Sequence, residues 1–126
     1  MELYNTREGA FKKGRDLTTH GDALDYLVTH LNRIEIDRRS ISWMLKEPKI
    51  FHGDSMLEVK SCDLVLGFNE PYNHSYEVEL KRSKRARGTA KIQMRSTSDN
   101  FCNRIGFPVE KKYIVYYPVF DYEVVE

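Results

Sequence analysis

The sequence predicts an α/β protein in which a mixed β-sheet is flanked by helices, with the element order α-β-β-β-α-β. Apolar residues recur at helical spacing between residues 24 and 34. Two strands joined by a turn are predicted over residues 61–81, and a second helical segment follows them. The β-forming run at 112–119 then predicts a last strand.

Length and composition describe one small domain. The chain has 126 residues, enough for a single core, and we expect one domain over residues 1–126. No stretch approaches the roughly 20 apolar residues of a membrane span, and the N-terminus lacks the apolar centre of a signal peptide. We therefore expect a cytoplasmic protein (in the host cell if it is viral) with no membrane partner. Cys62 and Cys102 are isolated from each other and are expected to be reduced and buried.

The first helix is predicted to begin at a cap formed by Thr18 or Thr19. Asp22 and Asp25 lie on its polar side, and an acid in a first helical turn is explained by the helix dipole, which favours a capping role for Asp22. The apolar residues of the helix share one face: Leu24, Leu27, Val28, Leu31 and Ile34.

Residues 1–17, before this helix, lack periodicity and are expected to form a mobile arm that contacts DNA or a second subunit.

Residues 35–49 fit either a strand or an irregular link, because Pro48 prevents a regular helix there. Residues 57–63 are predicted to form one long strand that leads into Asp63. That strand contains the triplet Glu58-Val59-Lys60, and alternation places Glu58 and Lys60 on the face opposite Asp63, which we interpret as solvated.

The hairpin at 61–81 concentrates the residues of chemical interest. Alternation along residues 76–81 puts Glu77, Glu79 and Lys81 on one face, with Val78 and Leu80 on the other. Residues 69–74 are dense in turn formers, so the hairpin is expected to close there. Closure brings Asp63 to Glu79 and Lys81 at one edge of the sheet. Glu77 lies on the same face, two residues before Glu79. It either binds a second metal ion or faces solvent, and we favour solvent.

Positive charge is clustered although the net charge is only +1. Residues 81–87 hold five cations in seven positions, and a smaller cluster lies near the N-terminus. Such clusters are typical of phosphate-backbone binding; the alternative is a solvated charged loop. The residues predicted to contact nucleic acid are Arg82, Lys84, Arg85, Arg87, Lys12, Lys13 and Arg15.

A second helix is predicted to begin at residues 88–89 and to end at Gly106 and Pro108. The acidic tail, residues 120–126, is expected to be loosely held or to pair at a sheet edge. The apolar face of the second helix comprises Met94, Ser98, Phe101, Cys102 and Ile105.

Asp63 followed by Glu79-Leu80-Lys81 resembles the D…(D/E)xK signature of the PD-(D/E)xK nuclease superfamily, which includes restriction endonucleases and Holliday-junction resolvases. The element order is also similar, and the small archaeal resolvases and related viral nucleases are nearest in size. Cys62 stands where the family name has proline. The resemblance implies a restriction-endonuclease-like core and, as in the resolvases, a homodimer.

The resemblance also implies roles for individual residues. Asp63, Glu79 and the backbone carbonyl of Leu80 would bind Mg²⁺, with Mn²⁺ as a substitute, and Mg²⁺ prefers such oxygen ligands. Lys81 would help to activate the attacking water, because its charge lowers the pKa of that water. Gln93 would be oriented toward the site from the second helix. Related nucleases place a third acid on the first helix, which neither Asp22 nor Asp25 matches unambiguously.

The leading hypothesis is therefore a Mg²⁺-dependent endonuclease acting on DNA, with branched DNA such as a Holliday junction as a candidate substrate. The alternative is a non-catalytic nucleic-acid-binding protein that uses residues 81–87 and the N-terminal arm. A third hypothesis is an interaction module whose basic run binds an acidic protein. Metal-dependent cleavage separates the first from the second, and salt-sensitive binding separates nucleic acid from a neutral partner.

Overall fold

The computed structural model describes residues 17–48, 50–51, 58–59, 62–82 and 97–125. The N-terminal arm up to residue 16 lies outside these ranges. So do several residues with predicted roles: Gln93, Lys84, Arg85, Arg87, Lys12, Lys13 and Arg15.

The predicted first helix is present as α1, His20–Thr29. It begins after Thr19, whose side chain accepts a hydrogen bond from the Asp22 amide at 3.3 Å, as expected for a threonine cap. The helix ends earlier than the apolar pattern suggested, and the chain continues as a 3₁₀ helix, Leu31–Ile34. A second 3₁₀ turn, Arg38–Ser40, leads to the sheet.

The sheet is mixed, as predicted, and has five strands among the described residues. Its order is β1-β4-β5-β6-β7; β5 and β6 run parallel, and the other neighbouring pairs are antiparallel. β2 and β3 pair with each other in a separate two-stranded sheet. The strands are β1 Trp43–Lys46, β2 Ile50–Phe51, β3 Glu58–Val59, β4 Leu64–Phe68, β5 His74–Lys81, β6 Val109–Tyr116 and β7 Asp121–Val125.

The prediction of one strand over residues 57–63 is wrong. The predicted order, with three strands between the two helices, is wrong for the same reason. β3 belongs to the small sheet, and β4 begins only at Leu64, so five strands precede the second helix in the described chain. Asp63 itself lies outside a strand. Its amide donates to the Glu79 side chain and its carbonyl accepts from the Glu47 amide, so its backbone groups are bonded outside the regular ladder between β4 and β5.

Side chains on the two faces of the sheet form two cores. On one face Leu24 and Leu27 of α1 pack against Val78 and Leu80 of β5. On the other face Cys102 of α2 (Thr97–Arg104) packs in a smaller cluster with Cys62. Both cysteines are present as thiols and are buried, as predicted. Helical elements therefore cover both faces of the sheet.

The second helix matches its prediction in part. Cys102 is buried, but Ile105 is 42% exposed and does not belong to the buried face. The reason is that the helix ends at Arg104 and the chain then turns through Gly106, whose φ is +83°. Across the described ranges, every helix is too short or too polar to cross a membrane.

The acidic tail pairs at the sheet edge, which was one of the two predicted alternatives. β7 runs antiparallel to β6, with Tyr116 opposite Asp121 and Lys112 opposite Val125. The Tyr116 hydroxyl also donates to Glu123. The tail is thus an edge strand over Asp121–Val125.

Substitution of Gly67 by alanine is expected to destabilise the fold by about 1–3 kcal/mol, as overpacking does. Gly67 lies opposite Trp43, and a Cβ at this position would meet the Trp43 indole at 1.9 Å. The indole is held by an edge contact with the Phe107 ring, at 5.2 Å between centroids. Thermal unfolding of Gly67→Ala measures the loss.

The matched control is Gly21→Ala in α1, where a Cβ would meet nothing within 4 Å. Alanine is a better helix former than glycine by up to about 1 kcal/mol, so this variant should be as stable as the wild type or more stable. Equal effects of the two substitutions would contradict the contact between Gly67 and Trp43.

Candidate metal centre

Two hydrogen bonds join Asp63 to the Glu79-Leu80 segment at the open end of the hairpin. The Asp63 amide donates to Glu79 Oε1 at 3.0 Å, and the Leu80 amide donates to Asp63 Oδ2 at 2.7 Å. The pairing of Leu64 with Val78 sets this register. The hairpin therefore brings the two acids together as the sequence predicted.

Lys81 adds a positive charge to this pair. Its Nζ lies 3.4 Å from Glu79 Oε2. Val78 and Leu80 pack in the core on the α1 face, so the predicted alternation, with Glu79 and Lys81 on the opposite face, is confirmed. The Lys81 carbonyl accepts from the Tyr117 amide, which fixes the end of β5.

The Glu79 carboxyl is buried, with 3% of the residue exposed. Burial and the adjacent charge of Asp63 raise its pKa to about 8, although Lys81 acts in the opposite direction. One ammonium thus offsets two neighbouring carboxylates only in part. The remaining negative charge and the oxygen donors suit a hard divalent cation, so the residues fit the predicted Mg²⁺.

The prediction that Glu77 faces solvent is wrong, because this residue is fully buried. It shares the Glu79 face, but α2 contributes Asp99 beside it, and Lys112 Nζ donates to Asp99 Oδ2 at 2.9 Å. Burial, reinforced by Asp99, raises the pKa of Glu77 to about 9. The surroundings of Glu77 therefore favour the neutral form of its carboxyl.

The raised pKa of Glu79 predicts that stability depends on pH when divalent ions are absent. The unfolded carboxyl ionises near 4.5 and the folded one at about 8. Between these values the folded state binds more protons, so the free energy of unfolding falls as pH rises. Glu79→Gln removes this contribution. The excess thermal stability of the variant over the wild type should therefore grow from pH 5 to pH 8, while Glu77 contributes equally to both proteins. A stability difference between Glu79→Gln and the wild type that does not change with pH would contradict the raised pKa of Glu79.

Two residues that the sequence analysis did not single out also reach Asp63. His20, the first residue of α1, places Nε2 at 3.1 Å from Asp63 Oδ2. Glu47 follows β1, and its amide donates to the Asp63 carbonyl at 2.7 Å. One ligand atom from each of His20, Glu47 and Asp63 lies within 4.8 Å of the other two.

No local pattern marks either residue. His20 has no partner histidine at metal-binding spacing, and Glu47 lies in the segment that fitted either a strand or a link. Of the acids considered on the first helix, Asp25 pairs with Lys46, and the hydrogen bond of Asp22 to the Thr19 cap is made by its backbone amide. The helix thus approaches Asp63 through a histidine at its first residue and not through an acid.

Within the described chain, Arg82 represents the basic run beyond Lys81. It is exposed, and its Nη1 donates to the Thr18 carbonyl at 3.0 Å. This bond joins the start of the run to the residues before α1, close in sequence to His20. The contribution of the run to nucleic-acid binding stays a prediction.

Comparison with protein-family models, with curated proteins and with solved structures finds no match to this chain. Function must therefore be inferred from the residues of the site and their geometry.

Proposed function

We propose that the protein is a metal-dependent endonuclease of the PD-(D/E)xK type that hydrolyses DNA phosphodiester bonds. The observation that carries the proposal is the hydrogen-bonded pair of Asp63 and Glu79 with Lys81 at 3.4 Å. An acid before one strand and an E-x-K triplet at the end of its hairpin partner are the elements of the signature, and here they meet in space.

Asp63 and Glu79 would hold the cation, which we expect to be Mg²⁺ with Mn²⁺ as a substitute. Such an ion lowers the pKa of a bound water and offsets the charge that develops on the phosphate. The backbone carbonyl of Leu80 is the third ligand implied by the resemblance. The Leu80 amide, which donates to Asp63 Oδ2, keeps that carboxylate oriented beside Glu79.

Lys81 would act on the attacking water and the phosphate. Its ammonium is held by Glu79 and its side chain is 20% exposed, so it remains accessible to a substrate while its position is restrained. A fixed positive charge favours hydroxide over water and stabilises the additional charge of the transition state. Lys81 is thus the proposed catalytic residue that is not a metal ligand.

Clustered charge supports DNA as the substrate. Five of the residues 81–87 are basic, and the run starts at the candidate site, so a phosphate backbone bound along it would pass Lys81 and Glu79. Branched DNA is the candidate that the resolvase resemblance suggests. A single site of this size reaches one scissile bond, so symmetric cleavage requires a homodimer. A cytoplasmic location remains the expectation from the sequence.

Cleavage of three labelled substrates tests the proposal: a four-way junction, a linear duplex and single-stranded DNA, each in Mg²⁺ and in EDTA. Cleavage of the junction alone, lost in EDTA, would support a resolvase. Cutting of every substrate would support a nuclease without junction specificity. Salt-sensitive binding with no cleavage in Mg²⁺ or Mn²⁺ would favour the non-catalytic binding protein.

A further inference from the structure

We propose that His20 and Glu47 bind the same cation as Asp63, and that His20 makes this site prefer Mn²⁺ to Mg²⁺. The inference rests on the proposed function only in taking Asp63 as a metal ligand. It adds His20 and Glu47 to the expected ligands, because one donor atom from each of them converges with one from Asp63.

The convergence comes from three separate parts of the chain. His20 opens α1, Glu47 follows β1, and Asp63 precedes β4. The Glu47 amide holds the Asp63 carbonyl at 2.7 Å, which fixes the two backbones relative to each other. His20 is held from two sides, by the Thr19 cap before it and by an edge contact of its ring with Tyr117, at 6.0 Å between centroids.

Glu79 meets Asp63 through contacts of its own. Its Oε1 accepts from the Asp63 amide, and its Oε2 lies 3.4 Å from Lys81 Nζ. Glu47, in contrast, is exposed, and its carboxylate is accessible to an ion from solution. Asp63 therefore belongs both to the pair with Glu79 and to the group with His20 and Glu47.

A nitrogen donor changes which divalent ion is favoured. Mg²⁺ takes oxygen ligands almost entirely, whereas imidazole is a good ligand for first-row transition ions. Mn²⁺ combines tolerance of an imidazole ligand with the preference for carboxylate oxygen that Asp63 and Glu47 satisfy. The positive end of α1 opposes a cation at His20, but it amounts to only about half a charge against two carboxylates.

The simpler alternative is that His20 only donates a hydrogen bond to Asp63 Oδ2, with no ion involved. Both arrangements explain the 3.1 Å separation. They differ in what removal of the imidazole does. Loss of a ligand lowers affinity for Mn²⁺ more than for Mg²⁺, whereas loss of a hydrogen bond leaves the preference between the two ions unchanged.

The test is Mn²⁺ binding to the whole chain, followed by electron paramagnetic resonance of the free ion and repeated with Mg²⁺ as competitor. The wild type should bind Mn²⁺ at least about tenfold more tightly than Mg²⁺, and His20→Ala should remove most of this preference. Glu47→Gln should weaken the binding of both ions and leave the ratio of their affinities closer to that of the wild type. His30→Ala is the matched control, because His30 stacks on Tyr26 at the far end of the same helix and should bind as the wild type does.

A wild type without Mn²⁺ preference, or a preference unchanged in His20→Ala, would overturn the inference. Two variants at different elements keep the test valid if one fails to fold. The nuclease proposal fails separately: Mn²⁺ binding that depends on His20, with no DNA cleavage, would contradict the nuclease and leave the metal site. Cleavage in Mg²⁺ with an unchanged ion preference in His20→Ala would support the nuclease and contradict the role of His20 as a metal ligand.

Discussion

Glu79→Gln is expected to lower Mg²⁺-dependent DNA cleavage at least about a hundredfold, because it removes a carboxylate ligand worth several kcal/mol in the transition state. Glutamine keeps the shape of the side chain, and its amide oxygen still accepts from the Asp63 amide at the position that Oε1 occupies. The fold should therefore persist. Single-turnover cleavage of a labelled junction measures the loss, and calorimetric titration measures the accompanying loss of Mg²⁺ affinity.

The matched control for this variant is Glu123→Gln on β7. Its carboxylate is also hydrogen-bonded, to the Tyr116 hydroxyl, but it belongs to the edge strand and not to the site. The control should cleave at the wild-type rate. Equal rates for Glu79→Gln and Glu123→Gln would show that Glu79 is not a ligand of the catalytic metal.

Lys81→Met is expected to lower the cleavage rate by about 10²-fold or more while leaving metal binding intact. Methionine keeps most of the aliphatic stem but removes the charge that lies 3.4 Å from Glu79 Oε2. Without that charge the attacking water is harder to deprotonate and the phosphate is less stabilised. Metal affinity should be equal or higher, because no cation then competes for Glu79.

Lys46→Met serves as the control for Lys81→Met. Lys46 pairs with Asp25 in an ion pair that is about half exposed, contributes little to stability and lies outside the proposed chemistry. Its cleavage rate should match the wild type. A Lys81→Met protein that binds DNA weakly but cleaves bound DNA at the normal rate would assign Lys81 to phosphate binding and contradict its proposed role in activating water.

Local patterns were sufficient to predict the hairpin and the facing of its side chains. Alternation along β5 depends only on backbone geometry, so the sequence alone places Glu79 and Lys81 on the same face. The helix and its Thr19 cap are likewise local features. Glu79 and Lys81 lie within one continuous stretch of sequence. Asp63 is further away along the chain, and the hairpin turn brings it close to them.

What the sequence could not predict depends on contacts between distant segments. Alternation gives the face of Glu77 but does not say that α2 covers this face, so the expectation of solvent was wrong. His20 and Glu47 reach Asp63 only because α1 begins and β1 ends beside it. The strand over residues 57–63 failed for a similar reason, since the tertiary bonds of Asp63 replace regular strand pairing.

The most direct test of the central claim is incubation of a labelled four-way junction with the wild-type protein and with Glu79→Gln, each in Mg²⁺ and in EDTA. The account predicts cleavage by the wild type in Mg²⁺ alone, with none in EDTA and almost none by the variant. Binding of the junction without cleavage, or cleavage that persists in EDTA or in Glu79→Gln, would contradict it.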